Sequence, residues 1–283
     1  MELTKKIIFW GTPEIAKNTL QKLVEEGFDV ALVITGLDKP VGRKQIMTES
    51  PVKTYALSKN IKVLQPEKIN DAFLEEVRSI GEFDLSIVVA YGKIIPQSAI
   101  DLPKLGTINV HYSLLPRWRG ASPVEASILG GDETTGVTIQ KMALKMDTGD
   151  IIKKEEVTIG QKENKVDLKK RLEEIGAEKL VEILPDIFSE KITLEKQDEE
   201  LATYCKKINK EDGDITQETN DEIKWRKYRA FIDWPRTYFF AEKGERKIRV
   251  IVTNADFVDG KFVIKNVLPE GKKETTWENF SKN

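Results

Sequence analysis

The chain has a single histidine, His111, two residues after Asn109 in the segment TINVH, and an acidic turn, Asp147-Thr148-Gly149-Asp150, follows downstream. The apolar lead-in to Asn109 reads as a strand, and period-two alternation puts Asn109 and His111 on the same side of it. An amide donor beside a titratable imidazole can hold a developing oxyanion and manage a proton. Asp147 lies in a turn able to aim a carboxylate at that imidazole and orient it. Any histidine chemistry in this chain must run through His111. The plainer alternative is an Asn/His pair at a strand end, satisfied by backbone groups.

Three other segments carry chemistry-bearing residues. Residues 113–120 (SLLPRWRG) are too apolar and too punctuated by proline and glycine for a solvated loop, so they either cover a pocket or form a packed connection. Within them, Arg117 and Arg119 flank Trp118, which fits an anionic ligand or ordinary surface charge. Residues 38–44 (DKPVGRK) are basic. They read as a solvated turn unless their position beyond a strand end gives them substrate to touch. Gly11-Thr12-Pro13 opens like a nucleotide-binding turn but lacks the further glycines of the dinucleotide fingerprint, so a tight strand-to-helix turn is the better reading.

The first half of the chain alternates strand and helix signals, as positioning such residues requires. Strands are predicted at 5–10, 30–35, 61–64, 85–90, 107–111, 136–142 and 151–159. Helices are predicted at 15–26, 51–58, 71–80, 121–129 and 166–184, the last stopped by Pro185, with a polar and basic loop over 36–50. Strands spaced by helices imply a parallel sheet with right-handed crossovers. This places Asn109 and His111 at the carboxyl end of a strand, where open α/β sheets form their ligand crevices. Beyond residue 198 the pattern changes to a partly helical stretch at 220–231 and strands at 237–241 and 247–253. Asp259-Gly260 then forms a hairpin turn. The fold class is therefore α/β, a Rossmann-like parallel-sheet domain followed by a small β-rich domain.

At 283 residues, 33% charged and 40% hydrophobic, the composition is that of a water-soluble globular protein. One cysteine, Cys205, excludes an internal disulfide and a cysteine-based zinc site, and it suits a reducing compartment. The N-terminal apolar run is strand-length, not a leader or membrane span, which points to the cytoplasm. A net charge of −2 argues against a general nucleic-acid binder. The segment from Cys205 onward is nevertheless net basic, which permits local phosphate contacts.

Taken together, these residues resemble the 10-formyltetrahydrofolate-dependent formyltransferase family, and within it the branch acting on methionyl-tRNA. The resemblance runs through residues 9–13 (FWGTP), 38–44, 50–53 (SPVK), 88–95 (VVAYGKII), 109–120 (NVHYSLLPRWRG), 136–139 and 147–150 (DTGD). It continues through Thr203-Tyr204, Lys207, Lys210-Glu211, residues 229–231 (RAF), Trp234-Pro235 and residues 268–273 (LPEGKK). The N-x-H-x-S-L-L-P signature with a following D-x-G marks the family, and the RWRG, basic-loop and C-terminal matches mark the tRNA branch.

The resemblance implies a catalytic trio. Asn109 and protonated His111 would hold the oxyanion while Asp147 orients His111 and assists proton movement. It implies a formyl-donor site at Gly92, Lys93, Ile94 and Ile95 with Ser113, Leu114, Leu115 and Pro116, and no metal. It implies contact with initiator methionyl-tRNA through Lys39, Arg43 and Lys44, no membrane or obligate protein partner, and a monomer. The domains would be a catalytic domain over 1–190, a linker over 191–204, and an OB-like, tRNA-contacting barrel over 205–283. That barrel is expected to be shortened, because only residues 254–261 stand where relatives carry a longer hairpin. Three alternatives stay open: a formyltransferase acting on an amino-sugar nucleotide, a catalytically silent tRNA-binding protein on the same fold, and a hydrolase of formylfolate in which water takes the place of the amine.

Overall fold

The computed structural model describes residues 5–42, 44–243 and 246–282. The strands are β1 (Lys6–Gly11), β2 (Asp29–Ile34), β3 (Lys39–Val41), β4 (Ile46–Thr48), β5 (Lys62–Leu64), β6 (Leu85–Val89), β7 (Thr107–His111) and β8 (Arg119–Gly120). They continue as β9 (Thr134–Lys141), β10 (Ile151–Thr158), β11 (Tyr204–Cys205), β12 (Tyr238–Lys243), β13 (Arg246–Val258), β14 (Lys261–Pro269) and β15 (Thr275–Thr276). The helices are α1 (Glu14–Glu25), α2 (Pro51–Ser58), α3 (Asp71–Ile80), α4 (Gln97–Ile100), α5 (Pro123–Gly130), α6 (Lys165–Phe188), α7 (Asp221–Ala230) and α8 (Trp277–Ser281). Two compact units form. The first takes in the chain up to Arg119 with Gly136–Glu156 and Lys170–Thr203; the second takes in Gly120–Thr135, Val157–Lys169 and the chain from Tyr204.

The main sheet has the order β10-β9-β7-β6-β1-β2-β5. Strands β1, β2 and β6 are nearly continuous runs of buried residues, the signature of parallel strands covered on both faces. Ile8, Trp10, Leu32, Ile34, Phe73 and Leu74 lie in one buried cluster of the first unit, each fully buried aliphatic side chain contributing about 1.5–3 kcal/mol. Helices α2 and α3 start where short polar side chains satisfy their first N–H groups. Ser50 accepts from Lys53 N–H at α2, and Asn70 accepts from Phe73 N–H at α3.

The structure differs from the sequence expectation in three places. Strand β9 runs antiparallel to β7, so the sheet is mixed; alternating helices and strands do not fix the direction of strands near a sheet edge. Helix α6 does not stop at Pro185 but continues to Phe188. Leu184 and Ile187 are both buried, so the apolar stripe runs on past the proline and its burial offsets the missing N–H bond. The loop over residues 36–50 carries a small antiparallel hairpin, β3 with β4.

In the second unit, the order β12-β13-β14-β15 makes a four-stranded antiparallel sheet. Trp225 of α7 stacks on Phe257 of β13 at 6.0 Å, and Tyr228 lies 6.1 Å from Phe262 of β14. The brevity of residues 254–261 has a simple local form. Both strands run through this region into the turn Asp259-Gly260, whose φ values of 49° and 76° suit a primed two-residue hairpin turn. No helix among the described residues is long and apolar enough to cross a membrane.

Candidate active site

Strands β1, β2, β6 and β7 are successively parallel across the sheet, so the loops that follow them leave from one edge. In register, Gly11 pairs with Val89, and Val88 pairs with Asn109. Thr12 ties three of these loops together. Its hydroxyl donates to the Tyr91 carbonyl at 3.2 Å and accepts from Gly36 N–H at 3.2 Å. Gly11 lies beside Ala16 and the Val89 carbonyl with no room for a Cβ, which fits the tight-turn reading of Gly11-Thr12-Pro13.

Asn109 and His111 stand two residues apart on β7, opposite Gln140 and Thr138 of β9. The Asn109 side chain is half-buried, and among the described residues its amide has no hydrogen-bond partner. His111 is only 6% exposed. Its Nε2 lies 3.0 Å from the Trp118 carbonyl oxygen, which can only accept. Nε2 therefore carries a proton, and Nδ1 faces the Asp147 carboxylate at 3.6 Å. The Trp118 carbonyl reaches the ring because Trp118 adopts a left-handed backbone, φ 60°. That conformation is held by Thr203, whose Oγ1 accepts from Trp118 N–H at 2.9 Å and whose carbonyl accepts from Arg119 N–H at 2.9 Å.

Asp147 is also left-handed, φ 54°. Its turn lies so close to β9 that a Cβ on Gly149 would collide with the Lys141 carbonyl. Gln140, 1% exposed, donates from Nε2 to Asp147 Oδ1 at 3.1 Å. The structure brings Asn109, His111 and Asp147 to one place. The sequence reading gave no role to Gln140 or Gln197, and it held Thr138 and Thr203 only as positions of the resemblance. Gln140 left a usable signal, a long amide directly after Val137–Ile139 in a strand buried from Thr135 to Gln140, where an unpaired polar group is costly. Gln197 left none, because its segment reads as a connection.

The two arginines of the RWRG segment part ways. Arg117 stacks over the Trp118 ring at 4.5 Å. Arg119 is neither a surface charge nor placed for a ligand. It is fully buried, with Nη1 and Nη2 on the Glu199 carboxylate at 3.0 and 2.7 Å and with Nε and Nη2 on Gln197 Oε1.

The segments expected to hold the formyl donor flank this centre unequally. Ser113 and Leu115 are buried, and their turn is tied internally. Ser113 Oγ donates to the Arg117 carbonyl at 2.6 Å, Thr138 Oγ1 donates to the Ser113 carbonyl at 2.6 Å and accepts from Leu115 N–H. Leu114 and Pro116 are partly exposed. Gly92 is exposed with φ 79°, and Ile94 is 84% exposed. Ile95 sits in the buried cluster with Tyr91, and Lys93 reaches back to donate to the Pro66 carbonyl at 2.7 Å.

Of the basic loop, Lys39 and Lys44 are exposed, and Arg43 lies outside the described residues. Its base is fastened by Lys53, which pairs with Asp38 at 2.7 Å, and by Gln65, which donates to Asp38 at 2.8 Å. The hydrogen bond from Lys53, then that from Gln65, hold the Asp38 carboxyl below its ordinary value.

The formyl transferase family profile matches residues 5–184. A methionyl-tRNA formyltransferase of Caldicellulosiruptor saccharolyticus is 44% identical over 232 residues, covering 81% of this chain and 74% of that protein. One from a Sulfurihydrogenibium species is 40% identical over 263 residues, covering 91% and 84% respectively. An N-formyltransferase of Helicobacter canadensis, solved with folinic acid and dTDP-3-aminofucose, superposes with a TM-score of 0.65 at 22% identity, covering 93% of this chain and 99% of that one; at that identity the likeness is one of fold. On the strength of the profile and the curated relatives, the chain belongs to the formyl transferase family.

Proposed function

We propose that this chain transfers the formyl group of 10-formyltetrahydrofolate to the α-amine of methionine on initiator tRNA. The observation that carries the reading is the trio itself: a half-buried amide at Asn109 with no partner among the described residues, a buried imidazole at His111, and the Asp147 carboxylate 3.6 Å from Nδ1. Identity of 40–44% to methionyl-tRNA formyltransferases supports the choice of amine.

In this reading the folate supplies the activated formyl carbon as co-substrate, held by backbone groups and apolar walls of Gly92–Ile95 and Ser113–Pro116. The amine nitrogen attacks that carbon and the carbonyl oxygen gains negative charge. Asn109 donates to it directly. His111, protonated on Nδ1 with Nε2 held by the Trp118 carbonyl, adds positive charge on the same face of β7. Asp147 orients the ring and takes part in removing the proton that the attacking amine must lose. The C–N bond to the folate nitrogen breaks, and that nitrogen leaves with a proton. Lys39, Arg43 and Lys44 meet the acceptor end of the tRNA, and the region 205–283 adds a basic surface. The enzyme acts as a monomer in the cytoplasm.

A competition assay tests the assignment. The protein is incubated with 10-formyltetrahydrofolate and either methionyl initiator tRNA or an amino-sugar nucleotide. The expected outcome is formyl-methionine after deacylation and no formylated sugar. Turnover on the sugar alone would replace this reading with the sugar-directed one.

A further inference from the structure

We infer that Gln197 is a positioning residue for this reaction, a clamp whose single amide fixes both the Asp147 turn and, through Gln140, the Asp147 carboxylate. The inference rests on the role given to Asp147 above.

The polarity of this network is set at its buried end. A guanidinium can only donate, so Arg119 Nε and Nη2, at 3.0 and 2.8 Å, require that the atom facing them is Gln197 Oε1. Glu199 balances the buried charge. With its oxygen so committed, Gln197 must turn its NH₂ group the other way. There it meets the Asp147 carbonyl at 2.9 Å, the Gly149 carbonyl at 2.7 Å and Gln140 Oε1 at 3.2 Å. Gln140 Oε1 is thereby also committed, so the Gln140 NH₂ faces Asp147 Oδ1 at 3.1 Å. The order Arg119, Gln197, Gln140, Asp147, His111 has one consistent assignment of donors and acceptors, and it delivers a donor to the oxygen nearest His111 Nδ1.

The chain path supports the same role. An antiparallel bridge between Ile151 and Glu195, with bonds of 2.8 and 2.9 Å, pins the returning segment beside the start of β10, two residues before Gln197. The clamp also steadies the left-handed backbone of Asp147, a conformation that aspartate visits only occasionally. The segment that reads as a linker thus supplies a part of the reaction centre.

The test is a double-mutant cycle on formyl transfer, using Gln197→Leu, Asp147→Asn and the pair. Gln197→Leu is expected to lower kcat about tenfold to a hundredfold, the scale of a small misplacement of a reacting group. KM for both substrates should stay within about twofold, because no contact with them is removed. In the Asp147→Asn background the same change should cost less than about threefold, since the clamp acts only through that carboxylate. Gln197→Glu keeps the shape but loses the donated bonds, and is expected to fall as far as Gln197→Leu. Gln140→Met carries the same cycle should Gln197→Leu fail to fold. Losses that multiply in the double variant, or an unchanged kcat in Gln197→Leu and Gln140→Met, would overturn the clamp while leaving the function intact. Wild-type kcat in Asp147→Asn would instead overturn the role of Asp147, and the clamp with it.

Discussion

Neutral His111 exists as the Nε2–H tautomer, because the Trp118 carbonyl can only accept that proton. Proton exchange is therefore left to Nδ1, on the Asp147 side. This divides the labour between residues that the sequence could only pair. In the proposed mechanism Asn109 is the direct donor to the developing oxyanion, and His111 supplies charge and a proton site. Asn109→Ala is expected to lower kcat by about 10²–10³-fold with KM little changed, as for loss of one oxyanion donor; steady-state kinetics on both substrates checks this. The proximity of Asn109 and His111 was legible in the sequence because the two share a strand face, whereas the approach of Asp147 depends on how its turn folds back. What was not legible was which ring nitrogen does what. That depends on the left-handed turn at Trp118 and on Thr203, a residue remote in sequence.

The strands and helices of the first half were legible wherever apolar periodicity set them. Helices α2 and α3 and strand β7 end where the sequence reading puts them. Misreadings arose where tertiary burial overrides a local breaker, as at Pro185, or where strand direction is decided by the sheet, as for β9. The turn between β9 and β10 shows how an element limits a residue. Gly149→Ala would drive a methyl group into the Lys141 carbonyl and shift Asp147 with it, so activity is expected to fall by about 10²-fold and the melting temperature to fall as well, because backbone must move to admit the methyl; activity assayed well below the variant's own melting temperature separates the two losses. The Arg119–Glu199 pair gives this region an acid dependence. Hydrogen bonds from Arg119, followed by its charge and that of Lys145, hold the Glu199 carboxyl below its ordinary value of 4.5. A lowered folded-state value contributes stability that is present above the unfolded value and is lost as pH falls through the folded one. Urea midpoints of the wild type and Glu199→Gln are therefore expected to differ at pH 7 and to converge as the pH falls below the ordinary carboxylate value and on through the lowered folded one; a gap that persists after full protonation would separate Glu199 ionisation from stability.

At the scale of the whole molecule, the chain forms two compact units, each assembled from segments far apart in sequence. Residues 191–203 fall with the first unit, and 120–135 and 157–169 with the second. Composition shifts along a chain mark where patterns change, and they carry no record of which segments return to pack together. The acceptor is the property that only the whole chain can choose. Lys39→Ala, Arg43→Ala and Lys44→Ala combined are expected to raise KM for the tRNA several-fold and flatten its salt dependence, since each phosphate contact contributes to the counterion slope. KM for the formyl donor should not change. Unaltered tRNA kinetics would remove the basic loop from acceptor binding. The most direct measurement follows formyl-methionine on initiator tRNA, by mass spectrometry after deacylation, with wild type and His111→Ala given 10-formyltetrahydrofolate. The proposed function predicts rapid formylation by the wild type and a rate at least about 10²-fold lower in the variant. No formyl-methionine from the wild type, or equal rates from both proteins, would contradict it.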